Sequence, residues 1–184
     1  MTTEYHQFSL KNYLSCEFLT DSVIQDLKSN AKFLSIGVGL GTYEDHLINT
    51  LKIPQSSIYC VDNNLDKKWQ GPYGFQFDIT GNWPTFITRF DYILFGQVIG
   101  VSVNRGRPVS SDKMVAHATH VIKQAKNILK QKGKIFIYDT TLPAAIIDLD
   151  TILAQQLYNH IAKTLGGTIT RTEHFGSVVE ISFD

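Results

Sequence analysis

The stretch Lys32–Thr42 reads KFLSIGVGLGT, a short apolar run that leads directly into three glycines at alternate positions. The length of the run predicts a buried strand, and Gly37, Gly39 and Gly41 follow it at once. Glycine lets a backbone turn tightly and lets a ligand approach where a Cβ would stand in the way. Because glycines also occur in many strand-to-helix turns that bind nothing, the loop alone leaves a purely structural role open.

Strands and helices alternate on both sides of this loop. One or two helices are predicted over residues 10–30, and another begins at Thr42, with Asp45 three residues later as in a capping box. The further predictions are strands at 57–61, 75–77, 91–95 and 135–138, and helices from Ser111 to Lys132 and from Pro143 to Gly166. The alternating tail 168–183, with a Phe175-Gly176 turn, predicts an antiparallel hairpin. The pattern predicts an α/β fold with a doubly wound, mainly parallel seven-stranded sheet that ends in this hairpin.

The helix from Ser111 to Lys132 has the clearest pattern, an unbroken apolar stripe at helical spacing. Lys130 and Lys132 favour its C-terminal end, and Gly133 is predicted as its C-cap. The helix also carries His117 and His120 beside the stripe. We interpret these histidines as surface residues and not as metal ligands, because no further ligands stand at a recognisable spacing.

Composition narrows the class of protein. The chain has 184 residues, 17 basic and 17 acidic side chains, 43% hydrophobic residues and two cysteines. A zero net charge gives no global field for nucleic acid, and we expect no nucleic-acid or membrane partner. We expect a cytoplasmic protein with a single domain, 1–184, in which residues 1–30 are a helical segment and possible lid and 31–184 the α/β core.

Acidic residues follow the next two predicted strands. A carboxylate such as Asp62, 21 residues after Gly41, can accept hydrogen bonds from both hydroxyls of a ribose, although Asp62-Asn63-Asn64 is also good turn chemistry. Asp78 can accept from the exocyclic amine of an adenine while Ile79 packs against the ring, or it can cap the next turn. Ligands of parallel sheets bind at this edge, so we expect these groups to lie close together.

The spacing of the glycines disfavours a nicotinamide cofactor. Dinucleotide enzymes use G-x-G-x-x-G, whereas here Thr42 stands where the third glycine belongs. The next helix opens with Glu44 and Asp45, which would repel a pyrophosphate at its N-terminus and attract an ammonium group.

In order along the chain stand the glycine loop, the acid Asp62, the Asp78-Ile79 pair, FDYILF before Gly96, and LKQKGKIF from Leu129. This order resembles the class I S-adenosylmethionine-dependent methyltransferases over about residues 30–184. The predicted hairpin at the end of the chain matches the strand hairpin at the sheet edge of that family. The resemblance implies a Rossmann-like methyltransferase fold.

The resemblance also implies S-adenosylmethionine as cofactor. The glycines would line its methionine moiety, Asp62 would hold the ribose hydroxyls, Asp78 and Ile79 would frame the adenine, and Gly96-Gln97 would border the reacting methyl. The implied cofactor-binding set is Gly37, Gly39, Gly41, Asp62, Asn63, Asp78, Ile79, Gly96 and Gln97. The family usually has an acid two positions before the first glycine, where this chain has Ser35, and Glu44 or Asp45 is a candidate replacement toward the ammonium group.

The sequence defines the molecule that would accept the methyl group less well than it defines the cofactor. Phe95-Gly96-Gln97-Val98 stands where methyltransferases of planar amines often have an Asn/Asp-Pro-Pro-Tyr-like stretch, which disfavours nucleobase and glutamine amide nitrogens. Arg105 and Arg107, in the long connection after the fourth strand, are speculative ligands for an anionic or zwitterionic acceptor, or simply solvated side chains. His6, Gln97 and Asp139 are candidates for a base on position alone, so the catalytic residue is unassigned.

Four functions therefore stay open after the sequence. The first is methyl transfer to a small-molecule acceptor, with a homo-oligomer possible. The second is transfer of the aminocarboxypropyl group from the same cofactor, and the third is a non-catalytic binding module, which the missing acid at Ser35 favours. A nicotinamide-dependent oxidoreductase ranks last because of the loop spacing.

Overall fold

The structure is a computed structural model that describes residues 14, 18–99, 111–138, 157–173 and 178–184. Its strands are β1 (Phe33–Ile36), β2 (Ile58–Asp62), β3 (Gly74–Gln76), β4 (Phe90–Gly96), β5 (Leu129–Tyr138), β6 (Gly167–Glu173) and β7 (Val178–Phe183). Its helices are α1 (Asp21–Lys28), α2 (Thr42–Asp45), which continues as a π-helical turn (His46–Thr50), α3 (Ser111–Ile128) and α4 over 157–164. Short 3₁₀ turns lie at Gln55–Ser57 and Lys67–Trp69.

The strands form one seven-stranded sheet in the order β3-β2-β1-β4-β5-β7-β6. The strands β1 to β5 pair in parallel, and β7 is antiparallel to both of its neighbours. The predicted doubly wound sheet with a terminal hairpin is therefore confirmed. β1 lies between β2 and β4, so the chain builds the sheet first to one side of β1 and then, from β4 onward, to the other side. In such a fold a crevice opens beyond the carboxyl end of β1, where the strand order reverses.

Alternation along β1 divides the core between the two faces of the sheet. Leu34 and Ile36 belong to one buried cluster, which α3 and α4 cover, and Phe33 belongs to the other, against which α1 and α2 pack. Thr20 caps α1 by accepting a hydrogen bond from the Val23 amide at 3.4 Å. Residues 10–13 and 15–17 of the predicted N-terminal helices, the stretch 139–156 with the predicted helix start at Pro143, and the Phe175-Gly176 turn lie outside the described residues.

The predicted end of the long helix is wrong by four residues. α3 ends at Ile128, and Leu129 already pairs with Phe90 of β4. The Arg89 guanidinium donates to the carbonyls of Asn127 and Leu129 at 3.0 and 3.2 Å, which satisfies acceptors that a helix end leaves open. Arg89 is remote in sequence, so the helical pattern could not predict this stop.

Gly133 is consequently not a C-cap. It lies within β5, and a Cβ there would stand 2.6 Å from Leu129 Cγ, so glycine is required by close packing. The left-handed residue is Lys132, with φ of 62°. The lysines Lys130 and Lys134 also belong to β5, where they form ion pairs with Asp91 and Glu180.

The predicted capping box of α2 is also wrong. The N-cap is Gly41, with φ of 72° and no side-chain cap, and Thr42 is already helical. The left-handed conformation that the chain needs at this turn favours glycine over a capping threonine. No helix within the described ranges is both long and apolar enough to cross a membrane.

Candidate functional site

The glycine loop after β1 has a backbone that other residues could not easily adopt. Gly37, Gly39 and Gly41 all have positive φ, of 87°, 56° and 72°. A Cβ on Gly37 would lie 2.5 Å from the Gly96 carbonyl oxygen, and one on Gly41 would lie 1.9 Å from Trp69 Nε1. The loop is thus pressed against the end of β4 on one side and an indole on the other.

Asp62 joins the end of β2 to this loop. Its Oδ2 accepts a hydrogen bond from the Gly39 amide at 2.9 Å, and its Oδ1 accepts from the Asn64 amide at 3.0 Å. The bond from the Asn64 amide is the turn that the sequence Asp62-Asn63-Asn64 predicts. The bond from the Gly39 amide places the carboxylate beside the glycine loop. Asn63 is exposed at the same strand end.

Asp78 and Ile79 lie beyond the end of β3. Asp78 Oδ1 accepts from the Thr80 amide at 2.9 Å, and Ile79 is 7% exposed, in the core cluster beneath α3. The Ile79 carbonyl accepts from Trp83 Nε1 at 3.0 Å, which ties the indole to this turn.

Helix α3 reaches the same edge through His117. The sequence predicts a surface residue at this position, but His117 is half-buried. Burial lowers the pKa of His117, the nearby His120 lowers it further, and the charge of Asp78 opposes both. His120 is exposed, with Nε2 3.4 Å from the Gly81 carbonyl oxygen.

Gly96 and Gln97 complete this edge of the sheet at the end of β4. The Gly96 carbonyl faces Gly37, and the Gln97 amide donates to the Tyr138 carbonyl at 2.6 Å. Gln97 has φ of 57°, which is unusual for a residue with a side chain. The sharp turn brings the end of β4 against the glycine loop.

Beneath the loop lies Glu44, which the sequence offered with Asp45 as a candidate toward an ammonium group but whose burial the sequence did not predict. Glu44, in the first turn of α2, is 2% exposed and accepts a hydrogen bond from Ser35 Oγ at 2.5 Å. Burial raises the pKa of Glu44 to about 7, against the lowering effect of the Ser35 hydrogen bond. Ser35 pairs in register with Cys60 of β2, and burial raises the pKa of that thiol, with Glu44 adding to the effect.

The neighbouring acid has a different environment. Asp45 forms an ion pair with Lys68 at 2.6 Å, and the two side chains are 44% and 46% exposed. Lys68 also lies 5.2 Å from the ring centroid of Trp69, whose Nε1 donates to the Leu40 carbonyl at 3.4 Å. No motif in the sequence marked Trp69, because its role depends on the space that Gly41 leaves.

Arg105, Arg107, His6 and Asp139 lie outside the described residues. Among the residues that are described, no group of three or more His, Cys, Asp or Glu is arranged to hold a metal ion.

The sheet order, the terminal hairpin and the glycine loop at the switch point define a class I Rossmann-like methyltransferase fold, and solved structures share it. CalS10 from Micromonospora echinaspora, an amino pentose methyltransferase solved with S-adenosylmethionine, has a TM-score of 0.57 at 8% identity, over 95% of this chain and 96% of its own. DesVI from Streptomyces venezuelae has a TM-score of 0.62 at 10% identity, over 97% and 96%.

A third similar structure is the magnesium protoporphyrin IX methyltransferase ChlM from Synechocystis with bound S-adenosylhomocysteine, at a TM-score of 0.51 and 12% identity over 89% of this chain and 81% of its own. The expected fold is therefore confirmed. No protein-family model and no curated protein matches the sequence.

Proposed function

We propose that this protein is an S-adenosylmethionine-dependent methyltransferase with a small-molecule acceptor. The observation that carries the proposal is the hydrogen bond from the Gly39 amide to the Asp62 carboxylate, 2.9 Å long, at the switch point of a methyltransferase fold. It joins a glycine loop that a ligand can approach closely to an acceptor suited to ribose hydroxyls.

The chemistry of the edge fits this cofactor. Asp62 has lone pairs beyond the two backbone hydrogen bonds that it accepts, so it can also accept from hydroxyls. The buried Glu44 carboxyl at the base of the loop suits a ligand with a cationic end, and not a pyrophosphate. Ile79 and Asp78 offer an apolar surface and an acceptor for an adenine.

When bound, S-adenosylmethionine supplies a methyl group made electrophilic by its sulfonium. The role of the protein in such a transfer is chiefly alignment, since the reacting atoms must approach in line. Gly96 and the left-handed Gln97 would hold the backbone around the reacting centre. Gln97 carries an amide, which is not a base at neutral pH, so we assign it to positioning and leave the proton acceptor unassigned.

A small acceptor for the methyl group is supported by the substrates of the similar proteins. CalS10 is a methyltransferase of an amino pentose, and ChlM is a methyltransferase of a porphyrin. The match to CalS10 covers 96% of the CalS10 chain. Arg105 and Arg107 are our candidates for the acceptor's anionic group, on sequence grounds alone.

The test is transfer of an isotopically labelled methyl group from S-adenosylmethionine to pooled small metabolites, followed by mass analysis. We expect a product that is heavier by one labelled methyl group. A product heavier by an aminocarboxypropyl group would favour the second transferase hypothesis. Cofactor binding with no product from any pool would favour a non-catalytic module.

A further inference from the structure

A buried acid lies at the base of the glycine loop, and one of its two carboxyl oxygens accepts no hydrogen bond from any other described residue. Glu44 is 2% exposed, and its Oε1 accepts from Ser35 Oγ. Its Oε2 is buried and has no hydrogen-bond partner among the described residues. A buried acceptor without a donor is costly, so its retention calls for a specific explanation.

The position of this carboxyl is set by two elements that meet under the loop. Ser35 is the last but one residue of β1, two positions before Gly37, and Glu44 follows the N-cap glycine Gly41 by three. The glycine loop runs between these two anchors. The Ser35–Glu44 hydrogen bond therefore closes the base of the loop that would hold the methionine moiety.

The charges around Glu44 do not neutralise it. The facing groups are the Cys60 thiol on β2, the adjacent Asp45 and, from the 3₁₀ turn, Lys68. Lys68 is the cation among them, and its ammonium is paired with Asp45 in solvent at 2.6 Å. Among the residues that the structure describes, an ionised Glu44 would thus have no close cation of its own, and burial raises its pKa to about 7.

We propose that Glu44 is the anionic group that receives the ammonium of the ligand's amino-acid moiety, and that it releases its proton to solvent when this cation binds. The inference rests on the proposed function, and it assigns the role to Glu44 and not to Asp45. Oε2 is the free acceptor, and Ser35 holds the carboxyl in place through Oε1. The ligand brings a cation that the described residues of the free protein do not place beside Glu44, so ligand binding and ionisation favour each other.

The experiment measures binding of S-adenosylhomocysteine by calorimetry from about pH 5.5 to about pH 7.5, in buffers of different ionisation enthalpy. With a pKa near 7 in the free protein, the affinity should rise about twentyfold over this range. About half a proton should be released per ligand at about pH 7 and nearly one at about pH 6. The comparison ligand is 5′-methylthioadenosine, which has the same nucleoside but no ammonium, and its affinity should not follow this curve.

This pair of ligands also separates Glu44 from His117 and Asp78, because groups on the adenine side would affect both ligands alike. Glu44→Gln should bind S-adenosylhomocysteine about tenfold or more weakly at the upper pH and lose the pH dependence. Asp45→Asn is the matched control: it removes the neighbouring acid, which is paired with Lys68, and should keep the dependence.

Equal pH profiles for the two ligands, or no proton release by the wild-type protein, would overturn the assignment even if Glu44→Gln failed to fold. A Glu44→Gln protein that kept the wild-type profile would overturn it as well. Failure of the cofactor assignment on which the proposal rests has a different signature, because then neither nucleoside ligand would bind at any pH. Failure of methyl transfer alone would show as binding of both ligands with no labelled product in the transfer assay.

Discussion

At the scale of single residues, the buried carboxyl of Glu44 links the stability of the free protein to pH. Burial raises the pKa of this carboxyl from the ordinary 4.5 of a solvated glutamate to about 7, so the folded protein binds more protons between these pH values than the unfolded chain. The contribution of Glu44 to the free energy of unfolding is therefore fully present below about pH 4.5 and is lost as the pH rises through about 7. The loss is on the order of 3 kcal/mol for a shift of this size.

Chemical denaturation of wild type and Glu44→Gln across this pH range measures that difference. We expect the variant to gain stability relative to wild type as pH rises, since glutamine cannot ionise. Parallel curves for the two proteins would show that Glu44 is already ionised in the fold at little cost.

Asp62→Ala should weaken S-adenosylhomocysteine binding by about 1.5–3 kcal/mol, the usual loss for a hydrogen bond to a charged group. The alanine also releases the Gly39 and Asn64 amides, so part of the loss comes from a looser loop. Titration calorimetry measures the loss, with Asp21→Ala as a variant that removes an equal charge from the first turn of α1. Wild-type affinity in Asp62→Ala would remove the ribose assignment.

The sequence predicted residue types at strand ends better than it predicted their partners. Asp62 and the glycines could be predicted because the carboxyl ends of parallel strands meet at one edge. The environment of Glu44 could not, because its burial depends on how α2 packs over β1. His117 was missed for a similar reason: helical spacing gives its angle about α3 but not the nearness of Asp78.

At the scale of elements, the turn from β1 to α2 requires glycine for two separate reasons. Gly37→Ala would place a side chain at a φ of 87°, which costs about 1–2 kcal/mol, and would put a Cβ 2.5 Å from a backbone oxygen. We expect a total loss of about 2 kcal/mol or more. Urea denaturation of the free protein measures it.

Gly71→Ala is the control for this loss, because a Cβ there meets no atom within 4 Å and its φ is not positive. It should be neutral or slightly stabilising, by up to about 1 kcal/mol. If both alanine variants were equally stable, the turn after β1 would not have the conformation described.

Element boundaries show where sequence periodicity stops being informative. The stripe on α3 predicted the buried residues Ala118, Val121, Ile122 and Ala125, all of which lie in the core. It continued to Leu129 because that residue is also buried, but in β5. A buried strand residue next to a helix end has the same hydrophobicity as one more helical position, so only the pairing with Phe90 distinguishes them.

At the scale of the whole molecule, one sheet supplies both core clusters, and we expect a single cooperative unfolding transition. Trp69 belongs to the cluster under α1 and α2, and Trp83 packs against the cluster under α3. Fluorescence of Trp69→Phe and Trp83→Phe proteins therefore reports each face separately. Within each variant, the fluorescence midpoint should coincide with that of far-ultraviolet circular dichroism; distinct midpoints would mean that the two faces unfold independently.

The overall topology was the most predictable property of this chain. Alternating strand and helix patterns restrict the arrangement to a parallel sheet, and the alternating tail adds an antiparallel edge. The methyl acceptor is the least predictable property, since our candidate residues for it, Arg105 and Arg107, stand in a connection that no periodic pattern positions.

The central claim is that the edge above β1 binds an adenosyl ligand, and thermal unfolding with S-adenosylhomocysteine tests it most directly. At about 100 times the dissociation constant, binding adds about 2.7 kcal/mol, which for a chain of this length raises Tm by about 5–10 °C. NAD at the same concentration should give no shift, because the loop lacks the dinucleotide spacing. A shift with NAD and none with S-adenosylhomocysteine would contradict the account.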